Sequence, residues 1–313
     1  MNLAVIGCGK QGLRHLAALR GDADLTVADR DPSRARDAAD RLGARLSAID
    51  AVFADPAIAA IIIATPTSSH AALARRAIAA GKHVFCEKPF GADAAAARDI
   101  ADAATARGLV GRVGYLYRLA PAIRAARAAL PSLGGIDTAR LLIAAPGNHA
   151  AWKHRRDEGG GVVNELVSHM VDLALWFFGP MRDCTVLEQR QTHPRRTIAG
   201  AAVEADADDR VAARLISQSG VTIEIVGDFA APRFAQSLEI RGRQGEIRAS
   251  IDPAFDSVAV CRGARMPLAP GAQPDLYRAQ MRGFLDAIAG GAPDDCCDLA
   301  QAASVCALLQ AMR

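Results

Sequence analysis

The stretch Leu3-Ala-Val-Ile6-Gly7-Cys8-Gly9-Lys10-Gln11-Gly12 constrains the fold more than any other part of this 313-residue chain. Four apolar residues read as a buried parallel strand. They run straight into G-x-G-x-x-G, after which Leu13, Leu16, Ala17 and Leu19 recur at helical spacing. In that setting the first glycine makes the tight turn and the second admits a pyrophosphate. The third lets helix and strand pack closely. The N–H groups at the helix start then face the phosphates. The next strand, Leu25 to Ala28, ends in Asp29, 20 residues after Gly9, where a carboxylate takes the adenosine ribose hydroxyls. A Rossmann dinucleotide site is therefore expected, with Gly7, Cys8, Gly9, Lys10, Gln11, Gly12 and Asp29 at the cofactor. Asp29 favours NAD, because a carboxylate repels a 2′-phosphate. Arg30 is a residue that clasps one, so NADP stays open beside a plain solvated charge.

The βα alternation continues. Asp31-Pro32-Ser33 opens a helix. Ala60 to Ala64 reads as another buried strand, followed by the loop Thr65-Pro66-Thr67-Ser68-Ser69-His70 at its carboxyl end, where open α/β sheets bind ligands. A helix from about Ala71 stops at Gly81. The strand His83 to Cys86 ends in Glu87-Lys88-Pro89-Phe90. A helix over about Asp93 to Arg107 and a strand over Leu109 to Val113 complete the unit. Thr65, Pro66, Thr67, His70, Glu87 and Lys88 are thus placed beside the nicotinamide. Pro89 restricts the backbone of Lys88, which suits an ammonium held to polarise an oxygen; a turn lysine paired with Glu87 would look the same.

The other informative stretch is Gly159-Gly160-Gly161, followed by an apolar segment from Val162 to Phe178 and a stop at Gly179-Pro180. At helical spacing Glu165, His169 and Asp172 share one face. Buried, such a stripe needs partners or a task; on a half-exposed helix it would simply be solvated. His149, His154 and His169 with Glu165 have ligand chemistry for zinc but no fixed spacing, so no metal is expected.

Composition excludes several classes. No apolar run approaches the length of about 18 residues that a membrane span needs. The net charge is +3 and the arginines are scattered rather than clustered with aromatics, so neither nucleic acid nor membrane is an expected partner. Seven cysteines without framework or C-x-x-C spacing, and a start without a secretory pattern, predict a cytoplasmic protein with reduced thiols.

Gly7 to Gly12, Ala64 to His70, Glu87-Lys-Pro89 and Gly159 to Gly161 with His169 and Asp172, in that order, resemble the Gfo/Idh/MocA family (glucose–fructose oxidoreductase, inositol dehydrogenase and relatives). The resemblance covers essentially the whole chain. It implies an N-terminal Rossmann doubly wound parallel sheet (1–116) and a C-terminal domain with a large, mostly antiparallel open sheet (117–313) for substrate binding and oligomerisation. It also implies hydride exchange between NAD(P) and a carbinol or carbonyl of a sugar, inositol or related polyol. By resemblance Lys88 assists acid–base chemistry and His169 exchanges the proton. Glu165 stands where the family has aspartate, and Val167 where a glycine is common, which narrows the local space. Lys88, Arg118, Trp152, Lys153, Glu165, His169 and Tyr277 are the substrate residues implied, and a homodimer or homotetramer through the second sheet the assembly.

In that second half the pattern predicts a helix over Pro121 to Leu130 and a strand over Ile136 to Ile143. Strands follow over Val211 to Ile216 and Val221 to Val226 with a Ser219-Gly220 hairpin turn, then over Leu238 to Arg241 and Gly245 to Ser250. Helices over about Asp275 to Ala289 and Leu299 to Met312 end the chain. The expected activity is an NAD(P)-dependent dehydrogenase or reductase. A glycosidase or lyase that oxidises its substrate transiently, and a nucleotide-bound regulator without turnover, are the rival readings.

Overall fold

The computed structural model describes residues 1–147, 150–251, 259–261, 264–266, 275–292 and 294–313. The chain forms two compact units: Met1–Leu116 with Asp275–Ala307, and Tyr117–Pro274 with Leu308–Arg313. The first opens with β1 (Asn2–Ile6), α1 (Lys10–Leu19), β2 (Asp24–Ala28), α2 (Pro32–Leu42), β3 (Arg45–Leu46) and α3 (Ile49–Ala54). It continues through β4 (Ile58–Ile63), α4 (His70–Ala79), β5 (His83–Cys86), α5 (Ala94–Ala106) and β6 (Gly111–Val113). The strands from β3 to β6 lie in the order β3-β2-β1-β4-β5-β6, all parallel, which is the Rossmann order. Leu3 to Ile6 and Ile61 to Ile63 are wholly buried because helices cover both faces of a parallel sheet. Asp31 caps α2 by accepting the N–H groups of Ser33 and Arg34, and left-handed Gly43 ends it.

The second unit holds α6 (Pro121–Ala129), β7 (Ile136–Ala144), α7 (Ser168–Phe178) and β8 (Met181–Arg190). The hairpin β9 (Arg195–Ile198) and β10 (Ala201–Glu204) follows, then β11 (Arg210–Ser217), β12 (Thr222–Asp228), β13 (Ala235–Gly242), β14 (Gly245–Ala249), β15 (Ala259–Cys261) and β16 (Ala264–Met266). Eight of these strands make one sheet, β16-β15-β14-β13-β7-β12-β11-β8, antiparallel except for the β7–β12 pair. Strict alternation in β11, β12 and β13 buries Leu215, Ile223, Ile225, Leu238 and Ile240 on the helix-covered face. The other face carries half-buried and exposed side chains.

The chain then returns to the first unit as α8 (Leu276–Ile288), β17 (Cys297–Asp298) and the greater part of α9 (Leu299–Ala311), through Ala307. Residues 275–307 therefore depart from the expected division, which gave everything after 116 to the second domain. β17 pairs antiparallel with β6, Cys297 opposite Val113. Gly111 leaves the space that Leu299 fills: a Cβ there would sit 2.3 Å from Leu299 Cδ1. Met281 and Phe284 of α8 join the core of Leu3, Val5, Leu16 and Phe85, with the Phe85 and Phe284 rings edge to face at 5.8 Å. An apolar helix face goes where the larger uncovered apolar surface lies, whatever its place in the chain. Among the described residues no helix is long and apolar enough to cross a membrane.

Candidate active site

The dinucleotide loop is built by backbone demands. Gly7 has φ +102° and its N–H donates to Ala28 O at 2.8 Å, joining the ends of β1 and β2. A Cβ on Gly12 would lie 1.8 Å from Gly7 O, so only glycine lets α1 come this close to β1. A Cβ on Gly9, by contrast, would meet nothing within 4 Å. Gly9 is the N-cap of α1 and offers no side chain to its first N–H groups, whereas aspartates cap α2, α5 and α8. Open space above uncapped helix N–H groups fits a pyrophosphate. The Asp29 carboxylate takes the N–H groups of Cys8 at 2.6 Å and Asp31 at 2.8 Å, which aims it, and each oxygen keeps a lone pair for a ribose hydroxyl. Burial, then the Asp29 charge, push the Cys8 thiol up to about 12, so it is inert packing. Arg30 is exposed.

The loops after β4 and β5 are fastened by two buried histidines. His70 places Nδ1 2.8 Å from Pro89 O and Nε2 2.8 Å from Thr65 O. Burial pulls it below the usual histidine range, and a neutral imidazole has one N–H for the two carbonyls. Ser69 Oγ donates to the Thr65 loop, and Thr67 is buried beside it. Glu87, 5% exposed, accepts from His15 Nε2 at 2.7 Å and from the Lys88 N–H at 3.2 Å. Burial alone pushes this carboxyl up, but the His15 hydrogen bond and the charges of His15 and Lys88 hold it below its ordinary range.

In the second unit the glycine run leads into a π-helical turn, Val163–Val167, before α7 begins. The expected single α-helix from Val162 is thus wound differently in its first turn, a feature common at functional sites. Gly160 explains part of the packing: a Cβ there would sit 2.5 Å from the Lys153 carbonyl. That close approach lets the Lys153 ammonium reach the buried Glu165 carboxylate in an ion pair. Trp152 lies under the same ammonium, with its ring centroid 5.3 Å away. His169 is buried and stacks on Tyr117, centroids 4.2 Å apart and 23° from coplanar. Asp172 binds Arg118 through Nε at 2.9 Å and Nη2 at 2.5 Å. Asn164 in the π turn donates to Gly159 O and Gly160 O and accepts from Arg313.

Several expected positions make contacts that their local sequence does not specify. Arg118, expected to line a substrate cleft, is 2% exposed and its guanidinium fork is committed to Asp172, with Trp176 beside it. Tyr277, expected at the substrate, packs in the first unit against α1, donating to Gln11 Oε1 at 3.2 Å and accepting from Arg14 at 2.8 Å. Val167, expected to narrow the space near the ionisable row, is fully buried against β12; its methyl lies 2.4 Å from where a Cβ on Gly227 would stand. The loss of a glycine on the helix is matched by a glycine on the strand. His149 lies outside the described residues. His154 is buried among Phe229 and Arg196, and burial holds it below the histidine range. Among the described residues no three His, Cys, Asp or Glu side chains are grouped to hold a metal. His15 was not singled out from the sequence. A histidine on the buried face of α1, with one carboxylate at the end of a nearby strand, is the signal that was there to use.

Residues 1–115 match the family model described as an oxidoreductase family with an NAD-binding Rossmann fold. Residues 129–248 match the model of the GFO/IDH/MocA C-terminal domain. The chain is 30% identical to the UDP-N-acetylglucosamine 3-dehydrogenase of Acidithiobacillus ferrooxidans, over 99% of this chain and 96% of the relative. It is 28% identical to an inositol 2-dehydrogenase of Rhizobium meliloti, over 93% and 90%. Among solved structures it resembles GenD2 from gentamicin A biosynthesis in complex with NAD, with a TM-score of 0.83 at 26% identity over 99% of this chain and 92% of that one.

Proposed function

The chain belongs to the Gfo/Idh/MocA oxidoreductase family, and on that premise we propose that it exchanges hydride between NAD and a carbinol carbon of a neutral sugar, inositol or related polyol. The observation that carries this reading is the buried row Glu165, His169, Asp172. Lys153 neutralises one end and Arg118 the other. His169 between them is the member whose side-chain type ordinarily changes charge near neutrality. A face whose charges cancel in pairs suits an uncharged polyol better than an anion. Asp29 supports NAD over NADP, since the carboxylate already aimed by Cys8 and Asp31 repels a 2′-phosphate.

When bound, the nicotinamide supplies or accepts the hydride. For oxidation, His169 takes the hydroxyl proton as the carbon–oxygen bond gains double-bond character, and returns it in the reverse direction. Tyr117 fixes the imidazole plane, so the ring reaches the substrate without first losing rotational freedom. Lys88 stabilises the developing negative charge on that oxygen. Lys153, anchored by Glu165 and Trp152, offers N–H donors to a neighbouring hydroxyl.

The test is a panel of inositols, hexoses and nucleotide sugars with NAD, monitored at the cofactor's absorbance. His169→Ala should lower kcat on the substrate found by roughly 100-fold or more. Near-full turnover by that variant would sink the assignment. Turnover with no net absorbance change would instead favour transient oxidation.

We also propose that the second unit self-associates through the uncovered sheet face. Across it Arg248, Glu239, Arg140, Glu224 and Arg214 stand in register with alternating sign. A row of this kind is self-complementary under a two-fold axis. Light scattering should show a dimer or tetramer, and Arg140→Glu should dissociate it.

A further inference from the structure

We propose that His15 is a positioning residue for Lys88: through Glu87 it ties the phosphate-facing helix α1 to the loop that carries the ammonium. This rests on the reading of Lys88 given above. The tie is one carboxylate used twice. Glu87 Oε1 meets His15 Nε2 at 2.7 Å, and Oε2 accepts the Lys88 N–H at 3.2 Å. His15 is wholly buried and Glu87 nearly so. The room for the carboxylate comes from Gly114, where a Cβ would sit 3.0 Å from Glu87 Oε2. Phe85 and Tyr277 pack edge-on against the imidazole, at 5.1 and 5.5 Å. Its other nitrogen, Nδ1, has no hydrogen-bond partner. A polar ring kept in such a place at the cost of one unsatisfied nitrogen is held there by its single polar contact. Tyr277 also holds this turn of α1 through Gln11 and Arg14.

The consequence is electrostatic as well as geometric. A buried carboxylate deprived of its hydrogen-bond partner takes up a proton or leaves the site. The groups that face Glu87 are His15 from α1, His70 from α4, Cys86 and Lys88 beside it in the chain, and Tyr277 from α8. His15 therefore keeps a negative charge next to Lys88, and that charge favours the protonated ammonium. The helix that receives the pyrophosphate and the ammonium that meets the substrate oxygen are thus set against each other by one hydrogen bond.

The experiment is competitive acetylation of Lys88 against pH in the NAD-saturated full chain, read by mass spectrometry, with kcat and KM measured in parallel. In His15→Phe, which keeps the ring packing, and in Glu87→Gln, Lys88 should become reactive about one pH unit lower, the size expected for losing an adjacent opposite charge. His15→Gln, which keeps a donor, should return towards the parent. kcat should fall about ten-fold in His15→Phe while KM for NAD stays within two-fold. Should His15→Phe not fold, the isosteric Glu87→Gln carries the same labelling test. Unchanged Lys88 reactivity in folded His15→Phe and Glu87→Gln would overturn the proposal, as would a kcat loss that tracks weakened NAD binding. Lys88→Ala separates the two ideas: retained turnover there defeats the role of Lys88, whereas the labelling shift reports the coupling by itself.

Discussion

The chain has two glycine-rich segments that lead into helices, Gly7 to Gly12 and Gly159 to Gly161, and they do opposite things. In the first, the critical glycine at the helix start is left open, with no atom within 4 Å of a Cβ on Gly9. In the second, Gly160 is closed by the Trp152–Lys153 backbone. The first loop keeps space for a ligand, while the second removes space so that Lys153 can reach a buried carboxylate. Glycine supplies close approach in both cases, and whether the thing approached is ligand or protein distinguishes them.

Substituting these glycines should have the largest effects. Gly12→Ala forces a methyl against Gly7 O and should weaken NAD binding by about 100-fold, or about 2.7 kcal/mol, in a titration of cofactor fluorescence. Gly9→Ala should leave the melting temperature unchanged and still weaken NAD about ten-fold, because the methyl occupies phosphate space. Unaltered NAD affinity in Gly9→Ala would mean that the pyrophosphate does not lie there.

The two ion pairs of the second unit come next. Asp172→Ala removes the bidentate carboxylate from the buried Arg118 and should cost about 3–5 kcal/mol in urea unfolding. Lys153→Met removes the Glu165 ion pair, but the ammonium side chain is 22% exposed, so the stability loss should be about 1–3 kcal/mol and the larger effect should fall on KM for the substrate. Equal stability losses from the two would make Lys153 a structural cation like Arg118.

Val167→Ala probes the family departure. It opens a cavity over Gly227 and should cost about 2 kcal/mol, with kcat within two-fold if the valine serves only the core. A changed substrate preference would place it at the site after all.

The smallest effect is on pH dependence. Burial holds His70 and His83 of the first unit and His154 of the second below the ordinary histidine range. The unfolded chain therefore binds these protons first as pH falls through about 6.5, and stability drops on the acid side of that value. Melting temperatures should decline from pH 7.5 to 5.5, with a shallower slope in a folded His70→Asn variant.

The dinucleotide half was legible because its signals are local: Gly12 answers to the carbonyl of Gly7 five residues earlier, Gly9 to the helix start it caps, and Asp29 to a fixed strand length. The cap at Asp31, the strand at Ile61 to Ile63 and the hairpin at Gly220 were legible for the same reason. Arg118 and Tyr277 were not. Nothing in the local sequence around an arginine tells whether a carboxylate 54 residues away will absorb its charge. Tyr277 went to α1 because residues 275–307 complete the first unit, a choice made by uncovered apolar surface rather than by chain order. The π turn escaped because Val162 to Phe178 has the same apolar pattern in either winding.

The sequence alone determined the Rossmann order, the family, the cofactor loop and the identity of the ionisable row, all of which depend on backbone geometry or on spacing along one element. Only the tertiary structure decided which charges are already satisfied. It gave Asp172 to Arg118, Glu165 to Lys153 and Glu87 to His15, because buried charges are matched through space and the partners lie 54, 12 and 72 residues apart along the chain.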